Sequence, residues 1–169
     1  MKHLLLIIAA IAFFATDAQA QKRARVSPKD SVEASLRKGV DVKIVYSRPS
    51  LKGRELKNII TFGEVWRTGA NEATTFEVNK DVAVEGKRLR AGKYSLYVIP
   101  GEKESTVIFN KIWNQWGTKY DEAEDALRIK VPTKHTKDKT EQFTISVNDN
   151  NGVVSLEWGN LQIPFKVKL

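Results

Sequence analysis

The chain has no cysteine and only two histidines among its 169 residues. Without thiols it forms no disulfide, no Cys–His nucleophile and no thiolate metal centre, so packing and hydrogen bonds alone must hold it. His3 sits in the apolar leader, which leaves His135, in the polar run KHTKDKTE, as the one imidazole of the remaining chain. A single imidazole excludes a multi-histidine zinc or copper site. A Ser-His pair is arithmetically open, but the lysine-rich surroundings read His135 as a solvated surface residue. Chemistry would therefore rest on carboxylates, Tyr, Lys or Arg. Also missing are an internal repeat and any amphipathic helical stretch of the length that a βαβ unit requires.

The longest apolar run, Leu4 to Phe14, follows a basic start at Lys2 and precedes Ala18-Gln19-Ala20. It is shorter than the ~20 residues that span a bilayer, and it ends on the small-x-small pattern of a signal-peptidase site. The sequence thus predicts a cleaved signal peptide over 1–20 and export to the periplasm or cell exterior, with no transmembrane anchor afterwards. A flexible lead-in over 21–30 and a single domain over 31–169 follow. A domain of that size buries roughly 68–70% of its unfolded surface.

The formal charge is +8 and the isoelectric point about 9.6. Lys and Arg alternate with acids, as in KGVDVK and FEVNKDVAVEGKR, and no basic helix or basic-aromatic module appears. The charge therefore does not predict a nucleic-acid partner.

Period-2 alternation is the dominant pattern. Val40, Val42, Ile44 and Tyr46 fall on one face of a strand, with Asp41 and Lys43 on the other. Further strands are predicted over Ser31–Leu36, Thr74–Asn79, Val82–Val84, Lys93–Ile99, Thr106–Lys111, Leu127–Pro132 and Gln142–Val147. Two closing strands, Val153–Gly159 and Leu161–Leu169, complete the count. Polar turns separate them, and Asn148 to Gly152 reads as a turn of residues that tolerate positive φ, with calcium as the rival reading of its Asn/Asp content. A single helical turn is expected near Asp121–Ala126. The fold class is all-β: an antiparallel, jelly-roll-like sandwich of nine or ten strands with long loops.

One stretch follows neither period. Tyr46 to Phe76, YSRPSLKGRELKNIITFGEVWRTGANEATTF, concentrates Arg48, Arg54, Arg67, Trp66, Asn71 and Glu72 between short apolar runs. Ordering such a loop is entropically costly, so long structured loops are usually functional. Its guanidinium groups either grip an anion or sugar acid in pairs or brace the loop against glutamates and backbone carbonyls. A second irregular loop, KIWNQWGTKYDEAEDAL, carries Trp113, Trp116 and Tyr120. Exposed indoles stack on sugars, whereas Trp158, on a strand, reads as core. Tyr46, Arg48, Arg54, Trp66, Arg67, Asn71, Glu72 and Trp116 form the candidate ligand site, for a carbohydrate or small anion. Glu72 is the candidate catalytic carboxylate; no cofactor and no metal site is predicted.

Taken together, YSRPSLKGR, GEVWRTGANEATTF, VEGKRLRAGKYSLYVIPG and WGTKYDEAEDALRIKV resemble the secreted bacterial domain of unknown function 2911, of Bacteroidetes type. The similarity runs from Ser27 to the last strand. It implies an exported single-domain β protein and carries over no reaction. The residues point first to a non-catalytic binding or envelope-associated module. An envelope polysaccharide hydrolase using Glu72 and a structural subunit of an envelope complex are the alternatives.

Overall fold

The computed structural model describes residues 25–169, so the predicted signal peptide lies outside the described residues. Ten strands follow in chain order: β1 Lys29–Leu36, β2 Val40–Ser47, β3 Thr75–Val78, β4 Val82–Val84, β5 Lys87–Leu89, β6 Gly92–Ile99, β7 Glu104–Asn110, β8 Asp125–Pro132, β9 Lys134–Asn148 and β10 Val153–Lys168. They pair into a six-stranded sheet, β1-β2-β3-β6-β7-β8, and a four-stranded sheet, β5-β4-β10-β9. The expected all-β, two-sheet architecture is what the chain adopts.

Alternation positions the layers. Val40, Val42, Ile44 and Tyr46 of β2 are buried, and Asp41 and Lys43 are exposed. Between the sheets Phe76 of β3 meets Phe109 of β7 edge-on, with ring centroids 5.0 Å apart, and both lie against Phe165 of β10. Each such fully buried side chain contributes about 1.5–3 kcal/mol relative to exposure. The β1–β2 hairpin closes through Arg37–Gly39, where Lys38 and Gly39 take positive φ.

Several boundaries differ from the sequence pattern. Lys87–Leu89, outside the strands expected from the pattern, is the short edge strand β5, paired to β4 with Leu89 opposite Val82. The two expected closing strands are one 16-residue β10, kinked by register shifts on either side of Gly159, whose φ is +60°. His135, outside the strands expected from the pattern, stands on β9 and is exposed, with Nε2 3.0 Å from the Glu102 carbonyl. The start of β9 escapes period-2 reading because it projects past the core with mostly exposed side chains on both faces. The expected helical turn is a 3₁₀ turn, Glu122–Glu124, whose Ala123 N–H donates to Asp121 Oδ1. Asn148 Oδ1 accepts from the N–H groups of Asn150 and Asn151, so the Asn148–Gly152 turn is satisfied internally.

Candidate functional site

The long loop between β2 and β3 is a built structure. After β2 it crosses to the smaller sheet, with Leu51 N–H donating to the Glu141 carbonyl, and it returns at Trp66, which exchanges both backbone hydrogen bonds with Val98 of β6. Trp66 thereby extends the line of β3. Its indole is buried, stacked on Trp158 at 5.9 Å and edge-on to Phe143 at 5.0 Å. Both faces are taken up by the core, so the ligand platform expected of Trp66 is not available.

Beyond it, the turn TGANEAT is closed from within. The Thr74 hydroxyl donates to the Thr68 carbonyl at 2.5 Å, and both threonines are fully buried. Gly69, at φ +137°, could carry no Cβ without meeting the Ser47 carbonyl at 2.9 Å. The turn then docks on the second loop: Gly117 N–H donates to the Asn71 carbonyl, Ala73 N–H to the Gln115 carbonyl, and Glu72 bridges Trp116. Asn71 also reaches the Ser27 carbonyl through Nδ2, so the chain ahead of β1 is tied to the same turn.

The arginines divide. Arg48 is a brace, donating to the Phe143 carbonyl, to Asp30 Oδ2 and to Thr144 Oγ1, which joins β1 to β9 across the sheets. Arg54 donates to the carbonyls of Ser50 and Leu51 and holds its own turn. Arg67 makes no side-chain hydrogen bond among the described residues; its stem packs against Gly117. The three guanidinium groups do not converge. Tyr46 is buried, its hydroxyl accepts from Ile145 N–H, and burial raises its pKa.

What does converge is a cleft of about 330 Å³ on the outer face of the larger sheet, beneath the second loop. Its walls include Lys29, Tyr46, Glu72, Lys93, Trp113 and Gln115. Thr75 and Lys93 face outward from β3 and β6, and the Lys93 ammonium sits 4.6 Å from the Trp113 ring centroid. Trp113 and Trp116 are 41% and 49% exposed, so this loop presents the open indoles of the site. Arg25 grips Glu72 with two 2.7 Å hydrogen bonds. That pair, then the backbone N–H of Glu72, and further the charge of Lys29, lower the Glu72 carboxyl to about 2. Glu72 is ionised at any physiological pH.

The second loop is anchored by a polar cluster on the sheet. Asp125 accepts from Asn110 Nδ2, from the Tyr120 hydroxyl and from Arg128 Nε. Gln115 donates to the Tyr97 hydroxyl, which donates to the Lys119 carbonyl. These contacts hold the Trp113–Gln115 wall over the cleft.

Of the residues picked out in the sequence, Tyr46 and Glu72 line this cleft, while Asn71 and Trp116 form the loop junction beside it. Arg48, Arg54 and Trp66 serve the scaffold. Lys29, Lys93, Asn114 and Gln115 were missed. Outward parity on its strand was the signal that could have found Lys93, and proximity to Trp113 the one for Asn114 and Gln115.

Comparison with protein families matches the chain, over residues 27–167, to one described as Protein of unknown function (DUF2911). No curated protein and no solved structure matches.

Proposed function

The chain belongs to the DUF2911 family, and from the geometry of its cleft we propose that it is a non-catalytic, exported binding module that takes a carbohydrate beneath the Trp113–Gln115 wall. The observation that carries this reading is a polar cleft with an exposed indole at its rim and a carboxylate locked in its ionised form. Sugars are recognised by that combination: a flat apolar surface for the C–H face of the ring and charged or amide groups for the hydroxyls. At about 330 Å³ the cleft holds one or two sugar units. Glu72 serves as a hydrogen-bond acceptor, while Lys29, Lys93 and Gln115 supply donors.

Glu72 is poorly suited to be the general acid of a hydrolase. A glycosidase general acid needs a raised pKa, so that it still carries its proton near neutral pH, and this carboxyl is displaced in the opposite direction. Export rests on the leader sequence.

Thermal-shift and calorimetric titration of the purified protein with neutral and acidic oligosaccharides of bacterial envelopes tests the reading. Saturable binding that weakens about tenfold in Trp113→Ala is expected. No shift with any glycan, or equal binding by Trp113→Ala, would remove the carbohydrate reading, and release of new reducing ends would overturn the non-catalytic one.

A further inference from the structure

A second cleft, of about 570 Å³, opens where the edge strand β5 of the smaller sheet approaches β8, the edge of the larger one. It shares no lining residue with the cleft under the Trp113–Gln115 wall. Three cations line it: Arg88, Arg90 and Lys111. Residues two apart on an extended chain point the same way, so Arg88 and Arg90 project together while Leu89 between them is buried as a plug. The lone carboxylate of the lining, Asp125, does not neutralise them. Its oxygens are taken by Asn110, Tyr120 and Arg128.

The cationic groups are set in place but not used up. Asp81 Oδ2 holds Arg88 through Nε at 3.1 Å and Nη2 at 2.6 Å, and its Oδ1 accepts from Ala91 N–H, which fixes the loop that carries both arginines. Arg88 Nη1 has no partner among the described residues. The Arg90 carbonyl accepts from the buried Tyr94 at 3.0 Å, which pins its backbone, yet its guanidinium makes no hydrogen bond among the described residues. Lys111 comes no closer than 4.0 Å to Glu124. Asp81 pairs with Arg88 and Glu124 stands at ion-pair distance from Lys111, so Arg90 is the cation of the hollow with no carboxylate partner among the described residues, and an oxyanion there would pair it.

We propose that this seam is an anion site for a phosphate or sulfate monoester, held between Arg90, Lys111 and the free edge of Arg88. Planar guanidinium donors match the oxygens of a tetrahedral oxyanion in pairs, and Lys111 adds a point charge. The ligand is either the free inorganic ion or the same group carried on a sugar.

Backbone amide NMR titrations of the protein with inorganic phosphate, inorganic sulfate and glucose 6-phosphate, against chloride at matched ionic strength, test the site. Saturable shifts confined to Arg88–Ala91, Lys111 and Asp125–Ala126 are expected with phosphate and sulfate. Affinity should fall about tenfold in the Arg90→Gln/Lys111→Gln double variant and stay unchanged in Lys57→Gln, which alters a cation elsewhere. Tighter binding of glucose 6-phosphate than of phosphate identifies the carried group, and equal binding the free ion. Shifts that never saturate, shifts spread over surface lysines, or an unchanged affinity in the double variant would overturn the proposal. The result is independent of glycan binding under Trp113.

Discussion

Arg25 clasps both oxygens of Glu72 at 2.7 Å each, which ties the segment ahead of β1 to the turn that walls the cleft. The clasp is open to water, with side chains 51% and 39% exposed, so its contribution to stability is small and salt-dependent. Its effect on titration is larger. With Glu72 lowered from 4.5 to about 2, the folded state holds the carboxylate charged where the unfolded chain would protonate it. The stabilisation is whole above about 4.5 and is lost as pH falls towards 2. A carboxyl NMR titration should place the Glu72 midpoint near 2, and Arg25→Gln, which removes the first cause of the shift but leaves the backbone N–H and Lys29, should move it upward towards 4.5. A midpoint that does not move in the variant would show that the backbone, not Arg25, sets it.

Arg48 and Arg67 lie in one loop and should respond oppositely. Arg48 is half-buried and donates three hydrogen bonds, two of them to β9, so Arg48→Leu leaves the Phe143 carbonyl and Asp30 without it and should destabilise by about 1–3 kcal/mol. Arg67 donates none among the described residues, and Arg67→Leu keeps the packing of its stem on Gly117, so its effect should stay within about 0.5 kcal/mol. Denaturant unfolding of both variants decides the point. Equal losses would mean that both side chains brace the loop.

Strands whose two faces see different surroundings were legible from the residues. The alternation of β2 names its buried set, Val40, Val42, Ile44 and Tyr46, because one face meets the core and the other water. The first turns of β9 were not, since Lys134 to Lys139 lie mostly in solvent and only backbone pairing makes them strand. The join of β10 through Gly159 was hidden for a related reason: a glycine at a bulge reads like a glycine at a turn. Composition marked loops that wall the cleft, but several of the side chains it singled out face elsewhere. Guanidinium groups close in sequence point to Phe143, to Ser50 and to no described partner at all, because a long loop turns its side chains to different neighbours. Lys93, two strands away, reaches the cleft only through the register that sets Glu77 opposite it.

The anchor of the second loop should show itself in alkali. Burial, followed by the hydrogen bond to Asp125, pushes the Tyr120 hydroxyl up to about 12. An unfolded tyrosine ionises at about 10, so the folded chain retains a proton that the unfolded chain has lost, and the associated stability is present below 10 and disappears between 10 and 12. Ultraviolet titration should show late ionisation of all four tyrosines, since burial raises Tyr46, Tyr94 and Tyr97 as well, and Tyr120→Phe should remove the strongly displaced component near 12. That variant leaves Asp125 with Asn110 and Arg128 and should lose about 0.5–1.5 kcal/mol at neutral pH. A Tyr120→Phe protein with an unaltered titration would place the late group elsewhere.

Gly117 is where the two loops meet, and a single methyl there tests whether their contact shapes the cleft. A Cβ would stand 2.9 Å from the Asn71 carbonyl and 2.9 Å from Arg67 Cδ, closer than real Cβ atoms come. The arginine stem can swing away, but the carbonyl belongs to a turn whose Thr68 and Thr74 are fully buried, so the second loop must be the one to yield. Yielding stretches the bond from Gly117 N–H to Asn71 and shifts Gln115, whose carbonyl holds Ala73 N–H. Gly117→Ala should therefore destabilise by about 1–2 kcal/mol and weaken glycan binding more than its stability loss accounts for, because it moves the Trp113–Gln115 wall. Gly53→Ala serves as the control: it carries the strain of a positive φ, +75°, which Gly117 does not, and has nothing within 4 Å of its added methyl. It should lose about 1 kcal/mol or less and leave binding untouched. If both variants bind alike, the loop junction is a structural seam and the cleft does not depend on it.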